Sequence, residues 1–182
     1  MAVSRRLDTE VSNKARSSCR FCDAPLRRSF VDLGMSPLAN SYVLAKDAQR
    51  LEAFYPLHAY VCESCFLVQL EEFESPQHIF EKYSYFSSYS TSWLEHAKKY
   101  VNEITKRFAI DASWQVIEIA SNDGYLLQYF QQAGIPVLGI EPASNIAKVA
   151  TEKGIPTLND FFSAALAGKL AAEGKQIGRA HV

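Results

Sequence analysis

Four cysteines fall as two pairs of identical spacing, Cys19-Arg20-Phe21-Cys22 and Cys62-Glu63-Ser64-Cys65. A CxxC turn presents two sulfurs on one side of the chain, and two such turns let four thiolates converge on a tetrahedral Zn²⁺. The linker of about forty residues exceeds the compact ribbon spacing, so it carries an insertion. A redox dithiol and buried free cysteines are the competing readings. No secretion signal precedes the pairs, and two disulfides do not fit that context. Four cysteines close the shell, which makes a bound metal structural rather than catalytic. His58 lies near the second pair and could replace a ligand, but it is read as packed on a strand or facing solvent. A unit of some fifty residues, Ser18 to Leu70, has a poor core of its own, and metal binding worth about 10–16 kcal/mol in zinc-finger peptides offsets such a deficit.

A second feature organises the rest. Val116-Ile117-Glu118-Ile119-Ala120-Ser121-Asn122-Asp123-Gly124 is an apolar run, a turn of small residues and a glycine. Leu126, Leu127, Phe130 and Ala133 follow at helical spacing, with Gly134 at the left-handed stop position. Strand, turn and helix form the unit that binds nucleoside ligands at the carboxyl end of a parallel sheet. Val137 to Ile140 is a second apolar strand. It ends in Glu141, whose carboxylate can accept both hydroxyls of a ribose. One glycine serves pyrophosphate poorly. A cofactor without phosphates asks only for close backbone approach at Ala120 and Gly124, a polar group for an amino-acid moiety, and Glu141. S-adenosyl-L-methionine meets that description, although the same pattern also occurs where no ligand binds.

The remaining segments are connectors and helices. Ser29 to Leu33 and Leu57 to Val61 read as strands of the cysteine unit, and Phe66 to Leu70 carries the chain out of it again. Ser75-Pro76 starts a short helix. Tyr83-Ser84-Tyr85-Phe86-Ser87-Ser88-Tyr89-Ser90 alternates rings and hydroxyls without a charge. It is either a connector packed between domains or a lid over a polar ligand. Ser92-Trp93-Leu94-Glu95 reads as a capping box for a helix to about Ala109, with Trp93, Ala97, Tyr100, Val101, Ile104 and Phe108 on its core face. Ser144 is expected to cap a helix ending at Gly154. Ile155 to Leu158 is expected to be a short edge strand, and Asp160 to cap a helix containing Phe161, Phe162, Leu166 and Leu170. At 182 residues and net charge -1, the chain offers no electrostatic reason for a nucleic-acid or anionic-membrane partner. No run is long and apolar enough to span a bilayer, and a cytoplasmic protein is expected.

Six motifs occur together in order: Cys19-x-x-Cys22; Asp32-Leu33-Gly34-Met35-Ser36-Pro37-Leu38-Ala39-Asn40; Cys62-x-x-Cys65 with Leu67-Val68-Gln69-Leu70; Tyr83-x-Tyr85-Phe86-Ser87-Ser88-Tyr89-Ser90; Glu118 to Gly124; and Gly139-Ile140-Glu141-Pro142. In this the chain resembles the bacterial sugar C-methyltransferase family, from Cys19 to about Gln176. The resemblance implies an α/β chain: a small four-cysteine zinc-binding domain followed by the first half of a Rossmann-like class I methyltransferase domain. It implies methyl transfer from S-adenosyl-L-methionine to carbon of a nucleotide-linked keto-deoxysugar through an enolate. Cys19, Cys22, Cys62 and Cys65 are the implied metal ligands. Glu118, Ala120, Ser121, Asn122, Gly124, Glu141 and Pro142 are the cofactor candidates. Tyr83 and Tyr85 are candidates for sugar or enolate contact, and domain packing is their alternative role. The family usually has glycine where this chain has Ala120.

The expected organisation is a disordered leader (1–17), the zinc-binding domain (18–73), a lid or connector with a helix (74–110) and the amino-terminal half of the cofactor domain (111–176). Ile177-Gly178-Arg179-Ala180-His181-Val182 resembles an in-frame adapter translation and is expected to be non-native. The family chain continues further, through a His/Glu-containing segment to which the resemblance assigns proton abstraction. The chain as written is therefore expected to be an inactive fragment, with Val116–Ala120 left at a sheet edge. The alternatives are a methyltransferase acting on oxygen or on a non-sugar substrate, and a zinc-ribbon binding module without catalysis.

Overall fold

A computed structural model describes residues 18–175, so the leader expected over 1–17 and the tail expected over 177–182 lie outside the described residues. The chain divides into two compact units. One takes the residues up to Leu38 together with Ala45–Phe73; the other takes Ala39–Leu44 and everything from Glu74 onward.

The first unit is a three-stranded antiparallel sheet of β1 (Arg28–Ser36), β2 (Tyr55–Val61) and β3 (Val68–Leu70), in that spatial order. β1 and β2 are longer than the sequence pattern indicates. Phe66 takes a left-handed backbone (φ 62°) before β3 begins, a strand that the sequence pattern does not single out. The β1–β2 register slips twice. At the second slip Gly34 has φ 77°, and its amide donates to Asp32 Oδ1 at 2.9 Å. Among the described residues of this unit only Cys19, Cys62 and Gln69 are buried. In place of a hydrocarbon core, sulfurs and one amide side chain occupy its centre.

The second unit has the parallel sheet expected from its sequence. β4 (Val116–Ile119), β5 (Val137–Ile140) and β6 (Thr157–Leu158) run in the order β4-β5-β6, with Glu118 beside Gly139 and Gly139 beside Thr157. β5 is buried along its whole length, as a central parallel strand must be. Helices cover both faces. Val101 of α2 (Thr91–Phe108), Leu127 and Phe130 of α3 (Leu127–Gln132) and Ala150 of α4 (Ser144–Glu152) pack with Val137 and Ile155. On the opposite face Leu166 and Leu170 of α5 (Ala164–Ala172) pack on Leu138 and Ile140. The predicted stripe of α2 is correct at its middle: Ala97 and Val101 are buried, while Trp93 and Tyr100 stay at its rim. Gly134 and Gly154 take φ 76° and 82° after their helices, the stop geometry that glycine supplies without steric cost.

Three expected caps are displaced. α2 is capped by Ser90, whose hydroxyl accepts the Trp93 amide at 3.3 Å, and Ser92 bonds to Ser90 instead. Ser144 is the first helical residue of α4; its amide and hydroxyl both donate to Glu81 O. α5 begins at Ala164 behind Ser163, so Phe161 and Phe162 precede it, and Asp160 accepts the Phe161 amide rather than capping a helix. The short helix α1 (Pro76–Phe80) does begin after Ser75, which accepts the His78 amide at 3.2 Å.

Candidate functional site

The two cysteine turns are built alike. In the first, the Asp23 amide donates to Cys19 O at 2.9 Å and the Cys19 amide to Ala24 O at 2.8 Å. In the second, Phe66 N donates to Cys62 O at 2.9 Å and Cys62 N to Leu67 O at 3.0 Å. Asp23 (φ 58°) and Phe66 (φ 62°) hold the same left-handed position in each. The four sulfurs lie within 4.8 Å of one another, with Cys19–Cys65 at 3.5 Å and Cys22–Cys62 at 3.6 Å. A tetrahedron with Zn–S bonds of about 2.3 Å has edges of about 3.8 Å, so the four sulfurs fit one ion with slight adjustment.

Burial opposes ionisation of Cys19, but hydrogen bonds from the Gln69 side chain and the Phe21 and Cys22 amides outweigh it and bring the thiol down to about 6. The Cys65 amide is the leading cause that lowers Cys62. Cys65 is pushed up to about 12: the Leu67 amide favours its thiolate, but burial and the three neighbouring cysteines prevail. Four sulfurs this close cannot all be anionic without a cation among them, and a metal would displace the retained protons. Gln69, which sequence reasoning passed over, donates to Cys19 Sγ at 3.2 Å and accepts the Arg20 amide at 3.0 Å. Its signal is a polar residue between two apolar ones, shortly after a CxxC turn. His58 is not part of this cluster. It stacks on Tyr60 at 4.2 Å and bonds Ser29 Oγ through Nε2 at 2.8 Å.

The second site is the turn after β4. Ala120, Asn122 and Gly124 have φ of 57°, 50° and 77°, so alternate residues are left-handed and the backbone coils tightly. Gly139 in β5 makes room for it: a Cβ there would lie 2.4 Å from Ser121 Oγ. A Cβ on Gly124 would meet Ile155 Cγ1 at 2.8 Å. Glu141 is buried, and its two oxygens accept the Asn122 amide at 2.9 Å and the Ala143 amide at 2.8 Å. A carboxylate has about four acceptor positions, so it retains capacity for further donors. Pro142 O accepts from Asn159 Nδ2 at 2.8 Å.

Three polar atoms around this turn are buried without a hydrogen-bond partner among the described residues: Glu118 Oε2, Ser121 Oγ and Asp123 Oδ1. Burial pushes Glu118 up to about 8; Glu141 and Asp123 add to the shift and a bond with Tyr125 opposes it. Tyr125 is itself raised to about 12, first by burial and then by Glu118. An orphaned buried acceptor is costly unless something donates to it. The set therefore suits a ligand that carries an amine and hydroxyls.

The Tyr83–Ser90 segment belongs to this same unit. Tyr83 N donates to Asn145 Oδ1 at 3.1 Å and its carbonyl accepts from Asn145 Nδ2 at 2.7 Å. Tyr85 O accepts from Asn122 Nδ2 at 3.1 Å and Ser87 N donates to Asn122 Oδ1 at 2.8 Å. Of the two tyrosines singled out from sequence, Tyr83 has its hydroxyl engaged by Asn40 Nδ2 at 2.8 Å, while Tyr85 is half exposed. Asp123 and Lys153 carry no sequence expectation; they pair at 2.9 Å across thirty residues of sequence.

A family model described as a zinc binding domain matches residues 19–80. C-methyltransferase NovU of Streptomyces niveus is 33% identical over 153 residues, which is 84% of this chain and 36% of that protein. The chain thus spans little more than a third of that relative's length. Among solved structures, a SAM-dependent methyltransferase from Archaeoglobus fulgidus is 18% identical over 37% of this chain and 29% of its own, with a TM-score of 0.31. The four-cysteine centre lies inside the zinc-binding match, and the similarity to C-methyltransferase NovU agrees with the resemblance carried by the six ordered motifs.

Proposed function

We propose that this chain carries the zinc-binding unit and the cofactor-binding strands of an S-adenosyl-L-methionine-dependent C-methyltransferase, acting on a nucleotide-linked keto-deoxysugar in the cytoplasm. The observation that carries the reading is the trio of unpartnered buried atoms, Glu118 Oε2, Ser121 Oγ and Asp123 Oδ1, set around a turn with three left-handed residues. The kinship with NovU supports the methyl-transfer class.

Glu118, Ser121 and Asn122 would face the amino-acid portion of the cofactor. Ala120 and Gly124 would let the backbone approach it. Glu141, with acceptor capacity beyond the two amides it holds, would take ribose hydroxyls, and Pro142 would border the base. Bound S-adenosyl-L-methionine would supply an electrophilic methyl group. The nucleophile would be carbon next to a ketone, made reactive by removal of its proton to an enolate. The site's contribution to that step is mostly alignment. Tyr85, half exposed, is better placed than Tyr83 to meet a sugar. Cys19, Cys22, Cys62 and Cys65 would hold Zn²⁺ as a structural centre. No helix among the described residues is long and apolar enough to cross a membrane.

Amide spectra of isotopically labelled protein test the reading. S-adenosylhomocysteine should shift the signals of Ala120 to Gly124, Glu141 and Ala143. A folded sample whose signals there do not move would overturn it.

A further inference from the structure

Asn122 joins the ligand turn to the segment before α2. Its backbone amide donates to Glu141 Oε2. Its side chain holds both a carbonyl and an amide of the Tyr83–Ser90 strap, Tyr85 O and Ser87 N. Asn145, one residue into α4, grips Tyr83 in the same two-handed way. Each asparagine side chain thus imitates a peptide group of a neighbouring strand. These two grips hold the strap by its backbone, independently of its side chains.

The next residue locks the arrangement. Asp123 is 1% exposed. Its Oδ2 accepts from Ser88 Oγ of the strap and from Lys153 Nζ at 2.9 Å. The same ammonium reaches Ser88 Oγ at 3.1 Å and Asp123 O at 3.3 Å. One cation therefore ties three points: the strap, the buried carboxylate and the turn backbone. An ion pair of this kind gives little net stability compared with an apolar filling of equal volume, because burying the carboxylate is expensive. What it provides is geometry. Removing either partner leaves an uncompensated charge or a loosened strap.

We propose that Asp123 and Lys153 are positioning residues for the ligand turn, clamping residues 83–90 onto it so that strap and Glu141 respond as one body through Asn122. The ligand part of this inference rests on the function proposed above; the clamp itself does not. Lys153 is 42% exposed in its side chain, so it can be changed with little effect on packing.

The experiment uses the chain with Lys153→Met, Lys153→Arg and Ser88→Ala. Hydrogen exchange at the Tyr83 and Ser87 amides is measured without ligand, and S-adenosylhomocysteine affinity is measured separately. Lys153→Met should speed exchange at Ser87 by about tenfold or more while the β5 amides stay protected, and weaken binding by about tenfold, within the usual span of site-to-site coupling. Lys153→Arg should restore much of both. If Lys153→Met also exposes β5, Ser88→Ala decides, since it removes one hydroxyl only. Unchanged exchange at Ser87 in a folded variant overturns the clamp. A loosened strap with undiminished affinity overturns the coupling. Wild-type protein that binds nothing, in a series that still shows the exchange change, contradicts the proposed function and leaves the clamp standing.

Discussion

Ala120 turns left-handed, at φ 57°, where β4 gives way to the turn. For an L-residue with a Cβ that conformation costs roughly 1–2 kcal/mol, and glycine escapes it while losing more chain entropy on folding. Ala120→Gly should therefore stabilise the second unit by about 0.5–1 kcal/mol, read as a small rise in its thermal midpoint. Gly139→Ala should do the reverse. The new methyl would press on Ser121 Oγ at 2.4 Å and Ser121 Cβ at 3.0 Å, an overpacking that typically costs about 1–3 kcal/mol. Glu118 sets a pH dependence. Its folded-state pKa of about 8 lies above its ordinary value of 4.5, so the folded state holds its proton more firmly than the unfolded state does. That stabilisation is complete below about 4.5 and fades as pH rises through about 8. Glu118→Gln should flatten stability across that window in denaturant titrations and raise it at the alkaline end. The residue choices were mostly legible beforehand, since a small-residue turn with a downstream acid names Ala120, Gly124 and Glu141. The Asp123–Lys153 pair was not, because no local pattern links partners on different elements.

The two cysteine turns show how an element can follow from four residues and still depend on a fifth. Asp23 and Phe66 each adopt the left-handed position that closes a turn, a place where glycine would be easier. With only Cys19, Cys62 and Gln69 buried among the described residues of that unit, its sheet has little hydrophobic support. Chelating the metal should unfold β1 to β3 and leave the parallel sheet intact, visible as loss of the first unit's amide dispersion alone. Gln69→Leu should keep the fold but weaken zinc about 10–100-fold, the usual consequence of removing a group that hydrogen-bonds a metal ligand; unchanged affinity would show that its bond to Cys19 is incidental. Most strands and helices of both units were legible from apolar spacing, whereas β3 was not and α1 showed only through its Ser75-Pro76 start. Most of their caps were not. Ser87, Ser88, Ser90 and Ser92 crowd one stretch, and sequence cannot say which hydroxyl the helix end will meet. The strap was ambiguous for a similar reason: alternating rings and hydroxyls suit a domain connector as well as a lid. Two asparagines, 35 and 62 residues away from their strap partners, bind it to the second unit.

At the scale of the whole molecule the parallel sheet is three strands wide among the described residues, with β4 at an edge. Ile119, its last residue, is 50% exposed. An unpaired apolar edge is a template for another chain. Ile119→Lys should lower self-association in sedimentation experiments without changing the content of secondary structure. The central claim is that the turn after β4, with Glu141, holds S-adenosyl-L-methionine or its demethylated product. Calorimetric titration of the zinc-loaded chain with S-adenosylhomocysteine tests it most directly. Saturable binding near one ligand per chain is expected, weakened at least about tenfold in Glu141→Ala with zinc content unchanged. A folded, zinc-loaded sample that takes up no ligand would contradict it.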